Sequence, residues 1–195
     1  MKINNIIILI LIFLCIYSCK NQEANIGFTQ NISDEWVYII PNVYAPTRDS
    51  LKIDIPIEFK IKNNSSRNYD YIETIFYIDK KYIYTGDFKN IDKSTRKVKY
   101  DEEWELPKGE EDEIISRVKV LYINKDDAKR VFEKYSIQKD IEKFRDSVKI
   151  APYKQFRKDF PEVIKKMDKT PDIVEVVVRY KNDKTYKSQK FKINW

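Results

Sequence analysis

The chain has 195 residues, 42% of them hydrophobic and 14% aromatic, with 37 Lys and Arg against 31 Asp and Glu and a formal net charge of +6. This content excludes a disordered polymer, and the absence of histidine removes the commonest general base, the commonest neutral metal ligand and every Ser-His or Cys-His pair. With three glycines in all there is no phosphate-cradling loop, G-x-S-x-G elbow or dinucleotide fingerprint; no cofactor, metal or catalytic residue is singled out, and the chain is not expected to be an enzyme.

The N-terminus opens on Met1 and Lys2, and Ile6 to Tyr17 then run without a charge. A helix needs about 20 apolar residues to cross a bilayer, so this short run with a basic start reads as a secretory signal peptide over 1–18. Ile16-Tyr17-Ser18-Cys19 resembles the lipobox of bacterial lipoproteins: an aliphatic residue, a variable one, a small one, then cysteine. Tyr17 is bulkier than that pattern usually carries, and Cys15 follows Leu14, which is not small. The resemblance covers residues 1–19. It implies cleavage before Cys19, lipidation of that cysteine and a membrane-anchored protein of the bacterial cell envelope, in an inner or outer membrane. An uncleaved anchor and a plain secretory signal are the alternatives. With Cys15 removed and Cys19 acylated, the folded domain holds no cysteine.

Residues 20–34, "KNQEANIGFTQNISD", are polar and without a hydrophobic period, so 19–34 reads as lipidated cysteine plus flexible tether. That leaves 35–195 as one domain. "EWVYIIPNVY" (35–44) reads as its opening strand. "LKIDIPIEFKIK" (51–62) alternates apolar and polar throughout, the mark of a half-buried antiparallel strand, with Pro56 signalling an edge or a bulge. "NNSSRN" (63–68) is turn composition. "YDYIETIFYIDKKYIY" (69–84) is a second strand, broken near Asp79 to Lys81. Val98, Tyr100, Trp104 and Leu106 alternate again, "PKGEEDE" (107–113) turns, and "IISRVKVLYI" (114–123) is a further strand. Strands separated by turn signals point to an antiparallel sandwich.

The period then becomes helical. Asn124 or Asp126 caps a helix bearing Ala128, Val131, Phe132 and Tyr135. Ile137, Ile141, Phe144 and Val148 form a second apolar stripe, and Tyr153, Phe156 and Phe160 a third. Pro161 opens a last short helix carrying Val163, Ile164 and Met167. After Pro171, Val174, Val176, Val178 and Tyr180 alternate, "KNDK" (181–184) turns, and residues 185–195 pair back. The expected fold is therefore α+β, mainly β: an antiparallel sandwich with a helical insertion at about 125–169 before a C-terminal β-hairpin. "IPIEFKIKNNSSRNYDYIETIFYIDKKYI" resembles the immunoglobulin-like sandwich of late-embryogenesis-abundant type-14 proteins, over some 35 residues and without an invariant motif. The resemblance implies an immunoglobulin-like fold and carries no site residues.

Three features are candidates for function. The insertion holds 14 Lys and Arg against 9 Asp and Glu, and Lys129, Arg130, Lys143, Arg145, Arg157, Lys158, Lys165 and Lys166 form its candidate interaction surface. Interspersed acids such as Asp140 and Glu142 also fit an ordinary salt-bridged helix surface. The acidic run "DEEWELPKGEEDE" (101–113) reads either as a calcium site lacking the usual loop or as a charged edge strand. Tyr69, Tyr71, Tyr77, Tyr82 and Tyr84 could line a sugar or peptide surface, against the commoner role of aromatics in strand packing. The leading reading is a lipid-anchored envelope protein acting as a non-catalytic binding domain. Its partners would be the membrane, through the anchor, and an envelope or extracellular protein, with no nucleic acid. The alternatives are an immunity or inhibitor lipoprotein against a secreted toxin, or a surface carbohydrate-binding protein or enzyme. A cleft with converging carboxylates favours the enzyme, a flat aromatic strip the sugar, and a convex surface with a basic helical face a protein.

Overall fold

The computed structural model describes residues 24–41, 51–83, 88–100, 104–139 and 147–195. Two antiparallel sheets pack face to face. The larger runs β7(Val98–Lys99), β6(Asn90–Asp92), β8(Glu111–Ile123), β3(Leu51–Asn63), β2(Trp36–Pro41), β9(Val148–Pro152), with β1(Ile26–Asn31) also on β3. The smaller runs β11(Tyr186–Ile193), β10(Asp172–Tyr180), β4(Tyr69–Ile78), β5(Lys81–Ile83). Among the described residues three helices follow β8 and β9: α1(Lys125–Lys134), α2(Tyr153–Asp159) and α3(Pro161–Met167). Among the described residues no helix is long and apolar enough to cross a membrane. The antiparallel sandwich, the helix-bearing insertion and the closing β10–β11 hairpin are as expected.

The alternation in β3 makes it the middle of the larger sheet. Its odd-numbered side chains, Ile53 to Ile61, point into the core. One edge pairs with β8 along its whole length, the other with β2 (51–54) and then β1 (58–63). Pro56, which has no N–H to donate, lies in the gap between those two partners and at a register shift against β8. It lies in a central strand, opposite a bulge in β8, rather than at an edge. The sheets are joined by aromatic contacts, Phe59 with Phe76 and Phe28 with Phe191. A buried polar bridge adds to them: Asn90 Nδ2 donates to Thr74 Oγ1 at 2.7 Å and Ser116 Oγ to Asn90 Oδ1 at 2.5 Å.

Three expectations need correction. Residues 26–31, read as tether, form β1, because Ile26 and Phe28 alternate with Gly27 and Thr29 and complete the open edge of β3. Val148, read as part of a second helix, lies in β9, where Val148, Ile150 and Ala151 are buried on the edge of β2; 140–146 lie outside the described residues. Strand β8 starts at Glu111 rather than at 114, since its acids face lysines across the sheet. The expected helix caps hold: Asn124 Oδ1 accepts from Asp127 N at 2.7 Å, and Pro161 stands in the first turn of α3.

The far end of the sandwich, where β3 begins, is tied by a buried charge. Lys119 of β8 is 2% exposed, and its Nζ lies 2.8 Å from Asp79 and 2.9 Å from the fully buried Asp172. Asp172 also accepts from Asp79 N–H and from Trp195 Nε1, each at 2.7 Å. Burial pushes the Asp79 carboxyl up, but hydrogen bonds from Lys119 and Thr170 outweigh it and hold it below the usual range. One cluster thus connects β8, the β4–β5 turn, the start of β10 and Trp195.

Lys119→Met leaves Asp172 buried without its cation and should cost about 3–5 kcal/mol in chemical denaturation; the pair Lys119→Met with Asp172→Asn should recover part of that loss. Asp92 is the second electrostatic test. Burial raises its carboxyl, but the Thr95 N–H, the Ser94 and Thr95 hydroxyls and the Lys99 charge win, holding it at about 2 against 3.8. A depressed folded value means stability that is present above pH 4 and lost as pH falls toward 2. Asp92→Asn should therefore cost about 1–2 kcal/mol at pH 7, and the two unfolding curves should converge near pH 2.

Candidate binding surface

The outer face of the smaller sheet presents polar and aromatic side chains, with Ile75, Ile173 and Val177 between them, on every second residue of its strands. Strand pairing sets them in rows. Arg179 is opposite Tyr71 and Tyr186; Val177 is opposite Glu73 and Ser188; Glu175 is opposite Ile75 and Lys190; Ile173 is opposite Tyr77, which pairs in turn with Tyr82. The inward positions of the same strands, such as Ile72, Phe76, Val176 and Val178, belong to the core. The face is open: Tyr186 is 54% and Tyr82 41% exposed.

Each end of the face carries a pair of tyrosines with a cation. Tyr71 and Tyr186 meet edge-on at 5.1 Å, and the Arg179 guanidinium lies 5.6 and 5.5 Å from the two rings. Asp70 orients that guanidinium by accepting from Nε at 3.0 Å. At the other end Tyr77 and Tyr82 meet edge-on at 6.0 Å with Lys190 Nζ 5.4 Å from the Tyr77 ring. Tyr77 donates to Glu175 at 3.1 Å and Ser188 to the same carboxylate at 2.6 Å. Burial and the neighbouring Glu175 raise the Tyr77 hydroxyl. Burial also raises Glu175, but hydrogen bonds from Ser188 and Tyr77 and the Lys190 charge outweigh it and hold that carboxyl low. Tyr77 is therefore a donor and Glu175 an ionised acceptor at neutral pH. Six residues along β4 set the two clusters about 20 Å apart.

The tyrosines noted in the sequence divide accordingly. Tyr69 is 1% exposed and stacks with Tyr180 in the core, its hydroxyl pushed up to about 12 by burial. Tyr71, Tyr77 and Tyr82 stand on the outer face, and Tyr84 lies outside the described residues. Arg179 and Tyr186, which composition does not single out, join them through strand register. Their signal was phase: both occupy outward positions of the two C-terminal strands.

The cations of the insertion lie elsewhere, around the helices. Lys129 is exposed on α1 and 4.0 Å from Glu133. Arg130 reaches Asp127 and, across to α3, Glu162; Lys166 returns from α3 to Asp127 at 4.0 Å. This is a seam of alternating charge between the two helices. Arg157, half-buried on α2, donates to the backbone carbonyl of Trp195 at 2.8 Å and lies over the Tyr153 ring. Lys158 and Lys165 are exposed on α2 and α3. Lys143 and Arg145, like Cys19, lie outside the described residues.

The acids at the start of β8 are matched by lysines. Glu111 and Glu113 pair with Lys60, Glu113 also with Lys93, and Asp112 accepts from Lys99 and from Trp104 Nε1. Among the described residues no three His, Cys, Asp or Glu side chains come together as a metal site would require. Tyr153 is buried with an unpartnered hydroxyl. Tyr153→Phe should hold stability within about 0.5 kcal/mol of the parent or raise it, as thermal unfolding would read. Compared with protein-family models, with curated proteins and with solved structures, the chain matches none.

Proposed function

We propose that this chain is a lipid-anchored protein of the bacterial cell envelope, held by an acylated Cys19, that works as a non-catalytic binding domain. The observation that carries the binding role is the outer face of the β11–β10–β4–β5 sheet, an open surface with a Tyr-Tyr-cation cluster at either end. Tyrosine and arginine are the residues that concentrate energy in protein interfaces, because they bring large rigid area and a hydrogen-bonding end at small entropic cost. The edge-on rings with cations beside them fit a protein partner better than a sugar, which would need an open ring face to lie on. The lipid anchor rests on the resemblance of residues 16–19 to a lipobox.

Two measurements test the reading. Intact-mass analysis of the protein from its own membranes should find a chain that begins at an acylated Cys19; an intact Met1 or an unmodified cysteine removes the anchor. A photoreactive amino acid placed at Tyr77 or Tyr186 in the lipidated chain should cross-link one discrete envelope or extracellular protein, whereas the same group at Lys129 should not. Arg179→Ala should weaken binding of that protein at least tenfold while changing stability by less than about 1 kcal/mol. Cross-links confined to the helices would instead make the basic insertion the binding surface.

A further inference from the structure

We propose that the end of the sandwich where β1 begins rests against anionic lipid headgroups through a rim of lysines carried by three turns. The inference depends on the anchoring of Cys19 proposed above. Three turns, 63–68, 106–110 and 180–185, meet at this end. Gly109 N–H donates to Asn63 O at 2.9 Å, Lys108 N–H to Asn68 Oδ1 at 2.9 Å and Lys181 N–H to Asn68 O at 3.0 Å. The entering chain joins them, as Asn64 N–H donates to Asn25 O at 3.0 Å.

Chain length places this end at the membrane. Cys19 and Ile26 are separated by seven residues, which span at most about 25 Å when fully extended. The sandwich measured along the thirteen residues of β3 is about 43 Å long. The helices α1 and α3 pack at the opposite end, around Ile53 and Ile123, where β3 begins. An acyl group at Cys19 therefore holds the turn-bearing end within reach of the headgroups and keeps the helical end away from them.

Charge at this end suits the anionic surface. Lys62, Arg67, Lys108, Lys181 and Lys184 are exposed there. Arg67 spends its charge on Asp183, 3.7 Å away. Among the described residues Glu110 is the one further carboxylate within the three turns, and Lys62, at the end of β3, lies opposite Glu111, which Lys60 also holds. Lys108 and Lys181 stand beside Gly109 and Asn182, the left-handed residues at the turn tips (φ 79° and 67°). A surface field decays within a Debye length of about 8 Å at physiological salt. The rim lysines feel it, and the helix cations, some 40 Å off along the strand direction, do not.

The test uses the full lipidated chain, with acylation of Cys19 checked first by intact mass. The protein is placed in vesicles of phosphatidylglycerol with phosphatidylcholine, or of phosphatidylcholine alone, and its lysines are labelled with a water-soluble acylating reagent and mapped by mass spectrometry. On the anionic vesicles Lys108 and Lys181 should label about fivefold more slowly, the factor that corresponds to about 1 kcal/mol per lysine, and high salt should abolish the protection. Lys129 and Lys165 should label alike on both vesicles, and Lys108→Glu with Lys181→Glu should remove the protection remaining at Lys184. Equal labelling of the rim on both vesicles, or protection of the helix lysines instead, overturns the inference while leaving the anchor in place. An unacylated Cys19 overturns the anchor and the inference with it.

Discussion

Pairing along both edges of β3 is the constraint that the other elements obey. Its inward face of isoleucines and Phe59 is buried only if strands lie on either side and a second sheet covers it. Strand β8 supplies one side, and β2 and β1 share the other, divided at the proline that cannot donate to a partner. The buried Lys119–Asp172 pair and the Asn90 bridge then fix how the smaller sheet lies on the larger. A lysine in such a place is costly to bury, and it is tolerated because two carboxylates surround it and Asp172 has further donors of its own.

What could be read from the sequence was whatever repeated strongly. The alternation of 51–62, Pro161 and the final hairpin each carried a strong local signal, and the helix start at 124–126 did so to within two residues. Strand β1 did not, because its polar residues Thr29, Gln30 and Asn31 serve a strand whose pairing partner lies some 30 residues away. Val148 fitted a helical spacing with Phe144 as well as it fitted the short strand it occupies; five residues are too few for periodicity to decide. The acids at 111–113 looked like a turn because charge density was visible and the facing Lys60, Lys93 and Lys99 were not. The candidate binding face was half legible. Tyr71, Tyr77 and Tyr82 stood out by composition, but Arg179 and Tyr186 join them only through the register of three strands.

The fold separates two surfaces by direction. The lysine rim lies across the end of the strands where the chain enters, and the tyrosine face lies along their length. A domain held by its end can keep such a face perpendicular to the membrane and open to a partner approaching from the side. The charged seam between α1 and α3 then lies at the outermost point, and its alternating ion pairs suit a solvated surface.

This arrangement is tested most directly by the thickness of the protein layer on a membrane. Neutron reflectivity of the lipidated chain on a bilayer containing phosphatidylglycerol should find protein density extending about 50–55 Å above the headgroups, the length of β3 with the helices packed beyond its start. A layer of roughly half that height would mean that the sandwich lies along the membrane on one of its faces, contrary to an upright domain standing on its lysine rim.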